Sequence, residues 1–375
     1  MKRIFLIVFV IFILGISWSS IGKQFEQGSD SSIIATIKNE FSSMVENEAF
    51  KDKLQALLNS FQALIGSIED KFNMQETTPK QIDKPQLTAP ADHIFSIHNI
   101  EIGDSKNDVI AMLGEPKRIS YNEYETNWFT YHEDYQNFVN VMFNEMDKVV
   151  GLYTNQDLIS STKGIKLGSS KEVVLEQLGK PLTTLRKGLI LYQLPMDADY
   201  NLFQIDDSFV TVFYDKHENN TVTAIQIIER GTEKKKKEIY TTATDQLKEG
   251  FEYQMFDLTN AARVNHSLRT LTWDDHVKNT ARKHSLDMAE NHYFNHTNLQ
   301  GQSPFDRMEE DHLIFTLAGE NLAHGQFSSI YAHEGLMNSL GHRENILKPE
   351  YKYLGVGVAF NAENQPYYTQ NYYTK

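Results

Sequence analysis

Cysteine is absent from all 375 residues. That excludes disulfide staples, thiol nucleophiles and thiolate zinc sites. Any metal must be held by His, Asp, Glu or main-chain oxygen, and any nucleophile must be a hydroxyl, an amine, a carboxylate or water. Basic charge is also in deficit. The chain has 36 Lys and Arg against 50 Asp and Glu, a formal net charge of −14. Nucleic acid, which requires a basic face, is therefore not an expected partner, and the excess acid serves first to solvate the surface. The apolar content suffices for real cores: 40% of residues are hydrophobic and 11% aromatic. The length fits two or three domains.

Residues 1–22 read as an export segment or membrane anchor. Lys2 and Arg3 precede an apolar run from Ile4 to Ile16, the pattern of a secretory signal. The run is short for a span of about 20 residues, but counted on to Ile21 it reaches anchor length. Cleavage and retention both stay open. The positive-inside rule keeps Lys2 and Arg3 in the cytoplasm, so the rest faces outward, secreted or anchored on the outer face of the cytoplasmic membrane. Membrane contact is expected only through this segment.

Residues 24–75 carry Ile34, Ile37, Phe41 and Met44, then Leu54, Leu57, Leu58, Phe61 and Leu64, at helical spacing. They predict a helical stalk. Residues 76–92, with Pro79, Pro85 and Pro90, read as a linker. An internal repeat fills 93–231. Gly103, Val109, Leu113, Gly114 and Pro116 recur 65 residues later as Gly168, Val174, Leu178, Gly179 and Pro181. In each copy a helix closed by Gly and Pro precedes strand-like runs. The expectation is two tandem α+β units of ~65 residues, each a helix on its own antiparallel sheet, burying a common face. His93, His98, His132 and His217 are scattered, so binding or positioning is expected here rather than chemistry. Residues 232–246 form a charged connector, and Thr232–Glu238 (TEKKKKE) reads as a solvated helix in preference to an anionic-lipid patch.

From Leu247 the pattern changes. Phe251, Met255, Leu258 and Ala262, then Val277, Ala281, His284, Met288 and Ala289, predict two amphipathic helices. Strands rich in aromatic and β-branched residues come late, around 351–360 and 366–374. Helices first and strands last suggest an α–β–α sandwich, and the chain as a whole is read as α+β.

Four phrases within 247–375 carry a resemblance: LTNAARVNHSLRTLTWDD, ARKHSLDMAENHYFNHTNLQGQSPFDR, GENLAHG and MNSLGHRENIL, followed by YLGVGVA. Their order and spacing resemble the bacterial branch of the cysteine-rich secretory protein/antigen 5/pathogenesis-related (CAP) superfamily. Residues 93–231 resemble the repeat domain that accompanies such proteins in Gram-positive species. The resemblance implies a groove in which two His and two acids converge. His296 matches the first His, Glu320 the first acid and His342 the second His; His296 and His342 are then candidate zinc ligands, and Glu320 and His342 candidate catalytic groups. The second acid is missing. Leu336 stands where the family has a helix Trp, Ser339 stands at the acid position, and Glu334 lies on another side of the helix. Glu320, flanked by Gly319 and Asn321, is read as sitting in a tight turn.

Three functions remain. The first is an exported groove-bearing protein that binds a small apolar ligand or an envelope protein. The second is a zinc-dependent hydrolase: His333-Glu334 opens like H-E-x-x-H, but Met337 breaks the motif; His292 and His296 could share a helix face, yet Tyr293 occupies the glutamate's place; Ser339 and His342 could pair as nucleophile and base. The third is a purely structural surface protein whose tandem repeats grip cell wall or another envelope protein.

Overall fold

The computed structural model describes residues 81–195 and 198–375. The expected export segment and helical stalk lie outside the described residues. The described part of the expected linker, 81–92, is strapped against the repeat module. The Glu101 carboxylate accepts from the backbone N–H groups of Ala91, Asp92 and His93, and Gln136 Oε1 accepts from the Ile82 N–H at 2.9 Å.

The first module runs β1 (Phe95–Ile97), α1 (Lys106–Leu113), β2 (Arg118–Tyr121), β3 (Asn127–Glu133), β4 (Gln136–Phe143), β5 (Val149–Thr154), β6 (Ile159–Ser161), α2 (Lys171–Leu178), β7 (Thr184–Lys187), β8 (Ile190–Gln193), β9 (Tyr200–Ile205), β10 (Ser208–Asp215) and β11 (Thr221–Glu229). Both helices start and stop the same way. Ser105 and Ser170 cap them, and Gly114 and Gly179, at φ 75° and 79°, end them in a conformation that costs glycine least. The loop before each helix bonds to a later strand: the Gly103 N–H donates to Val149 O and the Gly168 N–H to Val222 O.

The strands do not form two separate sheets. They make one seven-stranded antiparallel sheet, ordered β2-β3-β4-β5-β11-β10-β9. The two halves meet edge to edge, with Ile225 opposite Thr154 and Ile228 opposite Gly151. Backbone hydrogen bonding across β5–β11 joins them, and Val109 of α1, Val174 of α2 and Val141, Leu152, Val212 and Ile225 of the sheet share one buried core. Edge joining leaves no free edge at the centre. β7 and β8 stand apart as their own two-stranded ribbon.

After α3 (Arg230–Lys235) the second module runs α4 (Asp245–Asn265), β12 (Thr272–Trp273), α5 (Asp275–Asn291), α6 (Pro304–Glu310), β13 (Leu317–His324), α7 (Ser329–Asn338), α8 (Leu340–Ile346), β14 (Tyr353–Phe360) and β15 (Pro366–Thr374). The sheet order is β12-β14-β15-β13. Strand alternation sorts its two faces. Leu354, Val356, Val358, Tyr368 and Tyr372 pack with α4, α7 and α8; Ala359, Tyr367 and Tyr373 pack with α5 and α6. On the α5 face β14 offers Gly355 and Gly357. A Cβ there would stand 2.2 Å from Lys278 N and 2.1 Å from Arg282 N, so α5 rests directly on the strand backbone.

The modules are packed together. Trp128, Phe138, Met142, Tyr153 and Phe213 of the first sheet share a buried cluster with Leu258 and Ala261 of α4 and Ile330 of α7. α4 thus has a sheet on either side and is buried nearly all round. Its polar groups are partnered across both: Asp257 accepts from Arg118 at 2.7 Å and Tyr135 at 2.9 Å, and Glu252 accepts from Arg282 Nε at 2.5 Å. The connector is less solvated than its lysines suggest, because Glu233 is buried in an ion pair with Lys187.

Candidate functional site

Glu320 lies mid-strand in β13, not in a turn, opposite Asn371 of β15. The β alternation sends its side chain towards the segment that leaves α5. That helix ends at Asn291, and His292 closes it at φ 54°, so His296 lies in the loop and shares no helix face with His292. His296 Nδ1 meets Glu320 Oε1 at 2.8 Å. A carboxylate only accepts, so Nδ1 carries the proton and a neutral ring keeps its lone pair on Nε2. The other oxygen, Oε2, accepts from Arg307 Nη2 at 2.7 Å. The Glu320 side chain is 1% exposed, whereas that of His296 is 50% exposed.

Arg307 is a member of the site that the sequence did not single out. It sits on α6, a helix started by a Ser303–Asp306 capping box and Pro304. Its Nη1 donates to His296 O at 2.8 Å and Gln302 O at 3.0 Å. One guanidinium therefore holds both the carboxylate and the loop that carries the imidazole, which is the planar fork's usual strength. Beneath the loop His284 is buried, bonded through Nε2 to Asn295 O at 3.0 Å; burial lowers its pKa, with smaller opposing effects from Glu320 and Arg307.

His342 is on α8. Its Nδ1 is 2.8 Å from Oγ of Ser339, the residue that begins that helix. Burial lowers its pKa, and a charge on His296 lowers it further. β13 and α8 are tied side by side. Asn321 Nδ2 donates to His342 O at 3.0 Å, and Asn345 Nδ2 donates to Glu320 O at 3.2 Å and Asn321 Oδ1 at 3.0 Å.

Zinc fits this set poorly. Both Glu320 oxygens are hydrogen-bonded, two imidazole Nε2 atoms remain, and a catalytic zinc usually takes three protein ligands. Among the described residues no group of three or more His, Asp and Glu could hold a metal ion. His333 and Glu334 are buried in α7. Burial drives the His333 pKa down to about 3 and the Glu334 pKa up to about 7, and Glu334 Oε1 accepts from Tyr153 of the first module at 2.6 Å. Glu334 serves the module contact.

Arg343, the residue after His342, reaches across modules. Its Nη1 donates to Asp215 Oδ2 at 2.7 Å, with both side chains buried. Next to it, Asn338 Nδ2 donates to Tyr214 O at 2.8 Å. The helix end is pinned by Arg263, which donates to Ile346 O at 2.7 Å and Lys348 O at 2.8 Å. α8, which carries His342, is thereby fastened to β10.

Comparison with known proteins agrees with this architecture. The family described as CAP-associated N-terminal matches residues 102–239, and the cysteine-rich secretory protein family matches 256–372. The uncharacterized membrane protein YlbC of Bacillus subtilis (strain 168) is 31% identical over 290 residues, 72% of this chain and 82% of its own length. The crystal structure of an extracellular protein containing a SCP domain from Bacillus anthracis str. Ames superposes with a TM-score of 0.64 at 27% identity, covering 78% of this chain and 100% of that one. A cysteine-rich secretory protein from Staphylococcus aureus, at 13% identity and a TM-score of 0.58 over 73% of this chain and 91% of its own, shares the fold. With its sandwich preceded by the seven-stranded module, and a relative matched over most of both lengths, this chain belongs to the cysteine-rich secretory protein (CAP) family and carries the family's CAP-associated N-terminal domain.

Proposed function

We propose that the chain is an exported binding protein, working outside the cytoplasmic membrane, whose CAP domain takes up a small apolar ligand or a segment of an envelope protein beside His296 and His342. The observation that carries this reading is the buried, paired carboxylate. A general base must reach the proton it takes, and the Glu320 side chain, 1% exposed, is turned to Arg307 and His296. A pair of imidazole edges is left for a ligand. Phe294 and Leu340, 50% and 60% exposed, lie two residues from His296 and His342. Apolar surface with a few polar anchors is the usual make-up of a ligand site. The location is supported by the names of the relatives, one a membrane protein and one extracellular.

The hydrolase reading draws on Ser339 Oγ lying 2.8 Å from His342 Nδ1. The contact is local, three residues apart across the start of one helix, and Ser339 is an ordinary first residue for such a helix. One experiment separates the two. Zinc content and binding of a fluorescent sterol or fatty acid are measured on the wild type, on Glu320→Gln and on His296→Ala/His342→Ala. A binder holds the same trace zinc in all three and keeps the probe in Glu320→Gln. One equivalent of zinc lost in the double variant, with ester or peptide turnover lost in Glu320→Gln, would overturn the proposal.

A further inference from the structure

The β7–β8 ribbon ends in Gly188-Leu189, a two-residue turn whose glycine has φ 54°, the conformation a tight hairpin asks of its first central residue. Leu189 is 97% exposed, and Ile190 and Leu191 are 51% and 49% exposed. Three consecutive large apolar residues on a projecting turn are not what solvation alone selects. The ribbon also has a fixed place. Lys187, just before the turn, is buried in an ion pair with Glu233 of α3. A Cβ on Gly188 would stand 3.2 Å from Lys237 O. The apolar tip therefore lies against the lysine run that sequence alone reads as a solvated connector. That helix stops at Lys235, and Lys234, Lys235 and Lys237 are exposed, with Arg186 exposed on the ribbon itself. Glu233, an acid that would offset them, is buried in its ion pair; Glu238 is exposed. The four successive lysines 234–237 concentrate positive charge in a chain of net charge −14, although Lys235, Lys236 and Lys237 also line a cleft with Glu123, Glu125, Glu145, Asp147 and Glu238. Screening within about 8 Å at physiological salt lets the local sign act.

We propose that this corner is a lipid-contact site, in which Leu189, Ile190 and Leu191 enter the interfacial region of an anionic membrane while Lys234, Lys235 and Lys237 face its phosphates. Apolar insertion and lysine attraction are each weak alone and become effective together or beside another membrane signal. The leading apolar run from Ile4 supplies such a signal in the same chain. Lipid contact is then not confined to the N-terminal segment, and the hairpin sets which side of the module faces the membrane.

The lack of cysteine makes the test clean, because a single introduced thiol is labelled alone. The full chain carrying Leu189→Cys, labelled with an environment-sensitive fluorophore, is reconstituted with phosphatidylcholine vesicles and with vesicles containing phosphatidylglycerol. An emission rise of about twofold or more with a blue shift is expected on the anionic vesicles. It should fall in about 0.5 M NaCl and vanish in the Lys234→Glu/Lys235→Glu/Lys237→Glu variant with the circular dichroism spectrum unchanged. Silence at position 189 on both vesicles overturns the proposal, as does an equal rise from Ile314→Cys, an exposed site in the second module. A rise without vesicles, growing with protein concentration, assigns the tip to a second copy instead. A rise with soluble polyglycerol phosphate alone assigns the lysines to a soluble polyanion. Either of these also overturns it.

Discussion

The strands β2 and β7 come after the two matching helices, and their fates differ. Each begins alike: the Lys117 N–H donates to Thr130 O at 2.8 Å, and the Leu182 N–H, 65 residues on, donates to Leu202 O at 2.7 Å. β2 then continues along β3 as the sheet's outer strand. β7 leaves after that first bond and pairs with β8. The cause lies in their neighbours. β2 is covered by α4: Gly250 lies against the Tyr121 carbonyl, Gln254 Nε2 donates to Tyr121 O at 2.8 Å, and Arg118 pairs with Asp257. β7 buries Leu185 and Lys187, the latter against Glu233 of α3, and leaves Arg186 exposed. The lesson is that a repeated sequence sets where a strand starts, and the tertiary neighbour decides whether it stays in the sheet.

That contrast can be broken hardest at Gly250. A side chain there meets Tyr121 O, which an added Cβ would approach to 2.0 Å. Gly250→Val is expected to cost more than about 3 kcal/mol and to free β2 to exchange amide hydrogens like a ribbon; a denaturation curve and hydrogen exchange over 118–121 report both. Next is Asp215→Asn, which breaks the buried ion pair joining β10 to α8. A loss of about 3 kcal/mol is expected, with a double-mutant cycle against Arg343→Met showing strong coupling.

Glu334 gives the contact between modules a pH dependence. Burial raises its pKa from 4.5 to about 7, with Asp215 adding to the rise. The folded protein therefore holds this proton over a range where the unfolded chain has lost it, and stability falls as pH climbs from about 4.5 to 7, by at most about 3 kcal/mol. Glu334→Gln should flatten that fall; an unchanged slope would place the titration elsewhere. The smallest effect belongs to the free ribbon. Leu189→Ser should leave the unfolding midpoint within about 0.5 kcal/mol of wild type, and a larger loss would mean the tip packs on something.

Much of this architecture is legible in the sequence. The Ser and Gly that bound α1 and α2 are local signals, and local signals survive folding. The resemblance pointed to His296, Glu320 and His342, and the structure sets the first two in contact. The single sheet was not legible. β4 and β10 begin at Gln136 and Ser208, 72 residues apart rather than 65, because the ribbon adds length after the helix, and pairing across β5–β11 leaves no sequence mark. Arg307 was hidden because an arginine on a short helix reads as surface, and only the buried carboxylate facing it gives it a task. α4 looked amphipathic because its polar residues are many; they are buried and matched to partners on two sheets, which periodicity cannot show.

The bare backbone at Gly355 and Gly357 works as an index mark between α5 and β14. A helix seated on side chains can slide by a fraction of a turn as those side chains change rotamer, but one seated where two hydrogens alone fit has a single resting place. The loop that leaves α5 inherits that precision, so the separation of His296 from the strand bearing Glu320 is set two layers away from either residue. Adding one methyl group to either glycine would displace α5 and so change the spacing of His296 and Glu320 without touching either residue.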